Sequence, residues 1–393
     1  MLKLKELLIG TLLFGKVLLA QNLISLSQAT IYDENIFRNY AAESDWVSQT
    51  AFSGARELEV RSSHVRFYYQ NELNYFKASP ERWFHFHKLG NDWAIPVTRH
   101  VVNLGFSWQR RFDQPDYQLY DYSGWLGYAD MRLNLGKSLP IEIGYHLRAR
   151  IFHELDQFSF REHAGFFRLK HFFPTKTTLI AEINLAAKTY LEKQIVSQLI
   201  IQTDTLNSPG RGHGAGNQKL KLVQDTSLVA ANLDAPQTNQ LSLLVKIAQS
   251  ITPTTGLSLQ YLRRFQPVQA TRYLAGQAYT YTRDDELYDD PYTYGGQHWE
   301  LALTQMLPWA SRVRFFANFD SKNYLYKLSG ASDENRQDTA WLLGWYLTKN
   351  LTPGKWVKNI ELYLSYFYLE NQSNEPYYDA NGAVFSGGFN FNF

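Results

Sequence analysis

The sequence predicts an all-β chain: a transmembrane, antiparallel up-and-down β-barrel of about sixteen strands, within roughly fourteen to eighteen, with short turns at one end and long loops at the other. Three observations carry that prediction. In the closing stretch Ala383 to Phe393, Phe385, Phe389, Phe391 and Phe393 share one parity with Gly387, while Ser386, Gly388, Asn390 and Asn392 share the other. A period of two marks a strand with one apolar and one polar face. The same alternation recurs from residue 23 onward, and the connections between the repeats are alternately short and long.

Composition fits a chain that is apolar outside and wet inside. The 393 residues are 16% aromatic and only 19% charged, yet mean hydropathy is −0.36. After the first twenty positions no apolar run reaches the roughly 18 residues of a membrane helix, and Ala340 to Leu347 is far too short. A helical membrane protein is thereby excluded. A net charge of +2 argues against nucleic acid as a partner. The absence of cysteine removes disulfides, thiolate metal sites, thiol catalysis and a lipoprotein anchor.

Taken in order, Lys3 and Lys5 precede an apolar run from Leu7 to Phe14, and Ala20 offers a small residue for cleavage, so residues 1–20 read as an export signal ahead of a barrel over 21–393. Lys16 and Leu18 leave the cleavage position open. Strands are expected near 23–32, within 45–60, and near 64–76, 83–95, 99–112, 122–135, 141–153, 158–173, 179–190, 240–251, 257–268, 297–307, 312–325, 338–349, 356–370 and 380–393. The clearest is Ile141 to Phe152, where Arg148 and Arg150 mark the wet face, because lipid exposure near mid-bilayer would cost about 2–4 kcal/mol each. Some thirteen residues tilted by about 40° rise roughly 33 Å, enough to cross. Between Phe160 and Phe167 the apolar parity changes, so a bulge is expected near Ala164 or Gly165.

The short connections are built of Pro, Gly, Thr and Ser: Gly136 to Pro140, Pro174 to Thr178, Thr252 to Gly256, Pro308 to Ser311 and Thr352 to Lys355. The long ones include Asp113 to Asp121, a stretch from about 191 to 238, Gln269 to Gly295, Lys327 to Asp338 and Asn371 to Tyr378. Part of the 191–238 insert is expected either to extend its flanking hairpin or to fold into the lumen. Soluble sandwiches and propellers also use alternating hairpins, but their strands average five or six residues. Trp125, Trp299, Trp341 and Trp345 are placed toward the loop ends, where an aromatic girdle would lie.

The terminal Phe and the alternating aromatics before it resemble the closing strand of Gram-negative outer-membrane β-barrels. The resemblance covers the whole mature chain by pattern and the last strand alone by motif. It implies that Phe389, Phe391 and Phe393 form the assembly signal for the barrel-assembly machinery. It further implies residence among outer-membrane lipid, with both chain ends and the short turns periplasmic.

Candidate chemistry is sparse. Ser208 to Asn217 is glycine-rich but lacks the ending of a phosphate loop. Asp284, Asp285, Glu286, Asp289 and Asp290 cluster in one outer loop, where a calcium site is conceivable and a solvated loop face is the better reading, with Arg283 compensating in part; Asp33, Glu34 and Asn35 are read alike. The pairs His85 with His87, His146 with His153, and His163 with His171 lack a third ligand for a metal site. No catalytic constellation stands out, so no enzyme activity, cofactor or metal is expected.

Parity instead places a polar lining inside. Arg132, Arg148, Arg150, Lys188, Lys246, Arg264, Arg312 and Arg314 face Glu142, Glu182, Glu300 and Glu361 as candidate pore lining, with Arg66, Lys322, Glu72, Asp130 and Asp320 beside them. Tyr128, Tyr190, Phe316, Tyr346, Tyr363 and Phe367 turn inward too. About sixteen strands enclose a lumen wide enough for water. The expected function is a porin-like channel for passive diffusion of small hydrophilic solutes. The alternatives are the outer-membrane pore of a polysaccharide or other export system, or a closed barrel with a surface binding or structural role.

Overall fold

The computed structural model describes residues 22–136, 138–191, 230–231, 237–266, 273–274, 289–325, 334–354 and 357–393. The expected signal at 1–20, the glycine-rich stretch 208–217 and most of the 191–238 insert lie outside the described residues, as do Arg283, Asp284, Asp285 and Glu286.

Sixteen antiparallel strands close into one barrel. They are β1 (Asn22–Asp33), β2 (Asp45–Val60), β3 (Ser63–Phe76), β4 (Phe84–Val97), β5 (His100–Asp113), β6 (Tyr122–Asn134), β7 (Pro140–Phe152) and β8 (Phe160–Phe172), followed by β9 (Thr177–Tyr190), β10 (Gln237–Ser250), β11 (Thr255–Phe265), β12 (Tyr294–Leu307), β13 (Ser311–Tyr324), β14 (Gln337–Leu351), β15 (Asn359–Ser373) and β16 (Ala380–Asn392). Each pairs with its sequence neighbours, and β1 pairs with β16 to complete the wall. A separate two-residue ladder joins Ala230–Ala231 to Tyr273–Leu274, linking the two longest connections.

Every expected strand is present, with ends shifted by a few residues. The bulge is not. β8 keeps one register against β7, from Ile141 opposite Leu169 to Arg150 opposite Phe160, and one against β9. Phe160 breaks the expected pattern because it is an inward aromatic, buried under the loops, and not a lipid-facing one. The strand therefore alternates without interruption, with Glu162, Ala164, Phe166, Arg168 and Lys170 inward.

The outer face is a belt of exposed aliphatic and aromatic side chains, among them Ile143, Leu185, Ile247, Leu301 and Leu343. In water such a surface would be unsatisfied; against lipid it is the expected exterior. Its loop-side edge is aromatic. Tyr261, Trp299, Phe319 and Trp341 sit side by side on four adjacent strands, and Trp108 lies opposite Trp125. Trp345 does not belong to that girdle: it lies opposite Phe315, close to the turn-side end of β13, well inside the belt. The closing phenylalanines point outward, with Phe389 against Phe391 at 4.9 Å and Phe391 near Phe393 at 6.3 Å between centroids.

Candidate functional site: the barrel lumen

Inward side chains divide the lumen into a packed collar under the loops and a polar wall nearer the turns. The collar holds all of the largest fully buried side chains, including Phe76, Tyr122, Phe160, Tyr324 and Tyr378. Ion pairs are sealed between these rings. Arg38 holds Asp33 with two contacts of 2.6 and 2.8 Å, and Arg111 holds Asp113 likewise at 2.6 and 2.7 Å. The Arg336 guanidinium lies 3.3 Å from the Tyr378 ring centroid and binds Asp338. Lys188 donates to Asp290, with both side chains only 1% exposed.

Two expectations fail in part here: Glu34 is exposed, as a solvated loop face would be, and Asp289 is half-exposed, but their neighbours are not. Asp33 and Asn35 are buried and not solvated: Asn35 donates to the Asn39 carbonyl at 2.7 Å and to the Asn381 carbonyl at 3.1 Å, drawing the first loop over the mouth. Asp289 and Asp290 are likewise engaged, the first with Lys322 at 2.5 Å and the Tyr324 hydroxyl at 2.6 Å. Lysines hold these two carboxylates, and the other three acids of the cluster lie outside the described residues. Partial burial opposes charge on Asp289, but the Lys322 ammonium and the Tyr324 hydroxyl more than offset it and hold the carboxyl below the ordinary carboxylate range.

Nearer the turns the wall is a charge ladder. Arg168 donates to Glu182 at 2.6 Å and to Glu142 at 2.7 Å, and Lys170 adds a contact of 2.7 Å to Glu142. Arg314 binds Glu300 at 2.6 Å, and higher up Arg148 binds Glu162 at 2.5 Å. Arg132, Lys246 and Arg312 have no carboxylate partner among the described residues, nor has Glu361 a cationic one; Lys246 reaches only Gln260, at 3.4 Å. A recess of about 440 Å³ lies between Lys176, Lys246 and Arg314 with Ser258 and Thr304. On the adjoining wall Phe316 and Phe367 close over Gly344, and Tyr346 stacks on Tyr363 at 5.7 Å.

All twelve candidate lining residues therefore face inward, but they do not form one set. Arg150 and Lys188 are sealed in the collar, Arg264 lies beneath it 5.7 Å from the Tyr294 ring, and the rest line the wall. Sequence reasoning missed Arg168 and Lys170, the centre of the ladder, because the expected bulge left their parity undefined. Their spacing of two, opposite Glu142 and Glu182, was the available signal. Asp92, which accepts from the Tyr128 hydroxyl at 2.8 Å, was missed as well.

The histidine pairs singled out in the sequence gain no third ligand among the described residues. His85 and His87 share a face but face outward, 2.8 Å apart at Nδ1 and Nε2, and His153 lies beyond the end of β7. Among the described residues no group of three or more His, Asp or Glu is placed to hold a metal.

No protein-family model matches the chain, and no curated protein matches it in sequence. Among solved structures, CdiB from Escherichia coli aligns with a TM-score of 0.50 at 10% identity, over 94% of this chain and 63% of that one. OccD3 (OpdP) of Pseudomonas aeruginosa aligns at 0.49 and 10% identity over 96% and 92%, and OccK3 (OpdO) of the same organism at 0.46 and 10% over 96% and 97%. The chain has the fold of an outer-membrane β-barrel. At such identities the likeness is one of fold, and it spans almost the whole of this chain.

Proposed function

We propose that the barrel resides in the outer membrane of a Gram-negative bacterium as a porin-like channel for passive diffusion of small hydrophilic solutes, with no catalytic step and no cofactor. The observation that supports this reading is the unequal filling of the lumen. The large buried side chains gather under the loops, whereas the inner wall below them is lined by half-exposed charges, both paired and unpaired. A barrel serving only as a scaffold has no use for unpartnered Arg132, Lys246 and Arg312 on an inner wall, where desolvating a lone cation costs several kcal/mol unless water reaches it. With Arg66 counted beside these three, against Asp92, Asp130 and Glu361, the wall leans only weakly toward anions. In the same reading, Phe389, Phe391 and Phe393 are the signal for the barrel-assembly machinery: their rings form one outward row, 4.9 and 6.3 Å apart between centroids.

Planar-bilayer recording of the purified protein tests the proposal. Steady channels of weak anion preference are expected, shifted toward cations by charge reversal at Arg312 and Arg314. The collar favours a second reading, a closed barrel with a surface binding or structural role, since its buried ion pairs tie the loops to the wall. Silence at every voltage would establish that reading and overturn the channel.

A further inference from the structure

We propose that the outer face of β7 to β10 carries a binding site for one phosphorylated lipid of the outer leaflet. The site is a groove of about 400 Å³ in the lipid-facing belt, lined on its outward side by Tyr145, Gly165, Leu185, Ala187 and Leu241. Sequence makes the groove. On β8 and β9 the outward positions 165 and 187 are Gly and Ala, and the larger Tyr145, Leu185 and Leu241 beside them form its edges; outward small residues also occur elsewhere, as at Gly127 and Ala317, so it is the edges and the polar end that mark this one.

Packing does not require that glycine. A Cβ built on Gly165 would meet nothing nearer than the Gly144 carbonyl oxygen at 3.8 Å. Gly105 and Gly144, which face the lumen, differ, since there a ring occupies the space of the missing side chain, whereas the outward Gly127 is open like Gly165. The gap at Gly165 is thus open surface within the bilayer, and Leu185 at its edge is 62% exposed. Bilayer hydrocarbon is the medium that meets this belt, and an acyl chain is the shape that fills such a furrow.

The polar groups lie at one end, in the order a lipid needs. His163, hydrogen-bonded through Nδ1 to the Tyr145 hydroxyl, and Asn239 stand level with Ala187 at the loop-side rim. One step nearer the loops, on the same face, Arg161 is exposed and has no carboxylate partner among the described residues. A free guanidinium above a pair of neutral polar groups, above an apolar furrow, matches phosphate, headgroup and acyl chain read downward from the membrane surface. The occupant is therefore taken from the outer leaflet and not from the lumen, so the site stands whether or not the barrel conducts.

Native mass spectrometry of the detergent-purified full chain, titrated with lipid A and with its dephosphorylated form, tests this. The wild-type barrel is expected to retain one lipid A and to prefer it over the dephosphorylated lipid. Gly165→Leu and, separately, Ala187→Leu fill the furrow and should lower occupancy at least tenfold while heat-modifiable migration is kept. Arg161→Gln should retain lipid but lose most of the phosphate preference. Equal occupancy in the wild type and in whichever filled variant folds would overturn the site, and undiminished preference in Arg161→Gln would overturn the headgroup assignment.

Discussion

At the scale of single residues the wall is held by contacts that tolerate little change. Tyr128 lies directly opposite Gly105 on the neighbouring strand, and a Cβ on that glycine would fall 2.2 Å from the ring. Gly105→Ala must displace the ring and its 2.8 Å bond to Asp92, an overpacking cost of about 1–3 kcal/mol. Gly127, with nothing within 4 Å of such a Cβ, should accept Ala with little effect. The temperature at which the folded band converts on gels should fall for the first variant alone. Lys188 offers a second contrast. Lys188→Met leaves Asp290 charged and desolvated at about 3–5 kcal/mol, whereas Lys188→Met with Asp290→Leu should recover most of that loss, because replacing both partners removes the stranded charge. Equal losses in the single and double variants would show that the pair contributes nothing as a pair.

At the scale of elements, strands were legible and loops were not, for one physical reason. Lipid on one side and water on the other force a period of two on each strand, so local sequence suffices to place it. Loop residues answer to distant partners: Asp290 is held by Lys188, 102 positions away, and Asn35 by the carbonyl of Asn381. Nothing beside Asp33 or Asp290 in the sequence says that it will be buried. The failure at β8 has the same origin, since Phe160 looks lipid-facing until the collar above it is known. One consequence is a pH dependence in the sixth loop. Asp289 has its carboxyl depressed in the folded state, so its contact with Lys322 stabilises the docked segment Asp289 to Thr293 above the unfolded value near 3.8 and is lost as pH falls through the lower folded value. Protease cutting between Asp289 and Thr293 should therefore stay suppressed through mild acid and rise only below that range. Asp289→Asn should remove the acid step and raise cutting at neutral pH; an unchanged acid profile in that variant would assign the step elsewhere.

At the scale of the whole molecule, closure depends on the junction of first and last strands. β1 and β16 share nine registered pairs, Ser25 opposite Asn392 to Asp33 opposite Val384, whereas every other adjoining pair of strands shares at least ten. Because the natural chain has no cysteine, a single bond can be introduced there cleanly. Ile31→Cys with Ser386→Cys, directly opposed across the junction, should oxidise to a cross-link and abolish the heat shift on gels until reductant is added. A pair that stays reduced in the folded protein would mean that the wall is open at that point.

The unequal filling of the lumen also decides where a membrane voltage would fall. In a conducting barrel most of the electrical resistance resides in the narrow collar, so the potential drops there, across Arg111, Arg150, Lys188 and Arg336, while Arg312 and Arg314 sit in a vestibule at nearly the bath potential. Charges of the first group set how much current a given voltage drives and whether it rectifies. Those of the second act only by concentrating counter-ions at the entrance, an influence that reaches about 10 Å at 0.1 M salt and about 3 Å at 1 M. Ion preference altered at Arg312 should consequently fade as the bathing salt is raised, and rectification altered in the collar should persist.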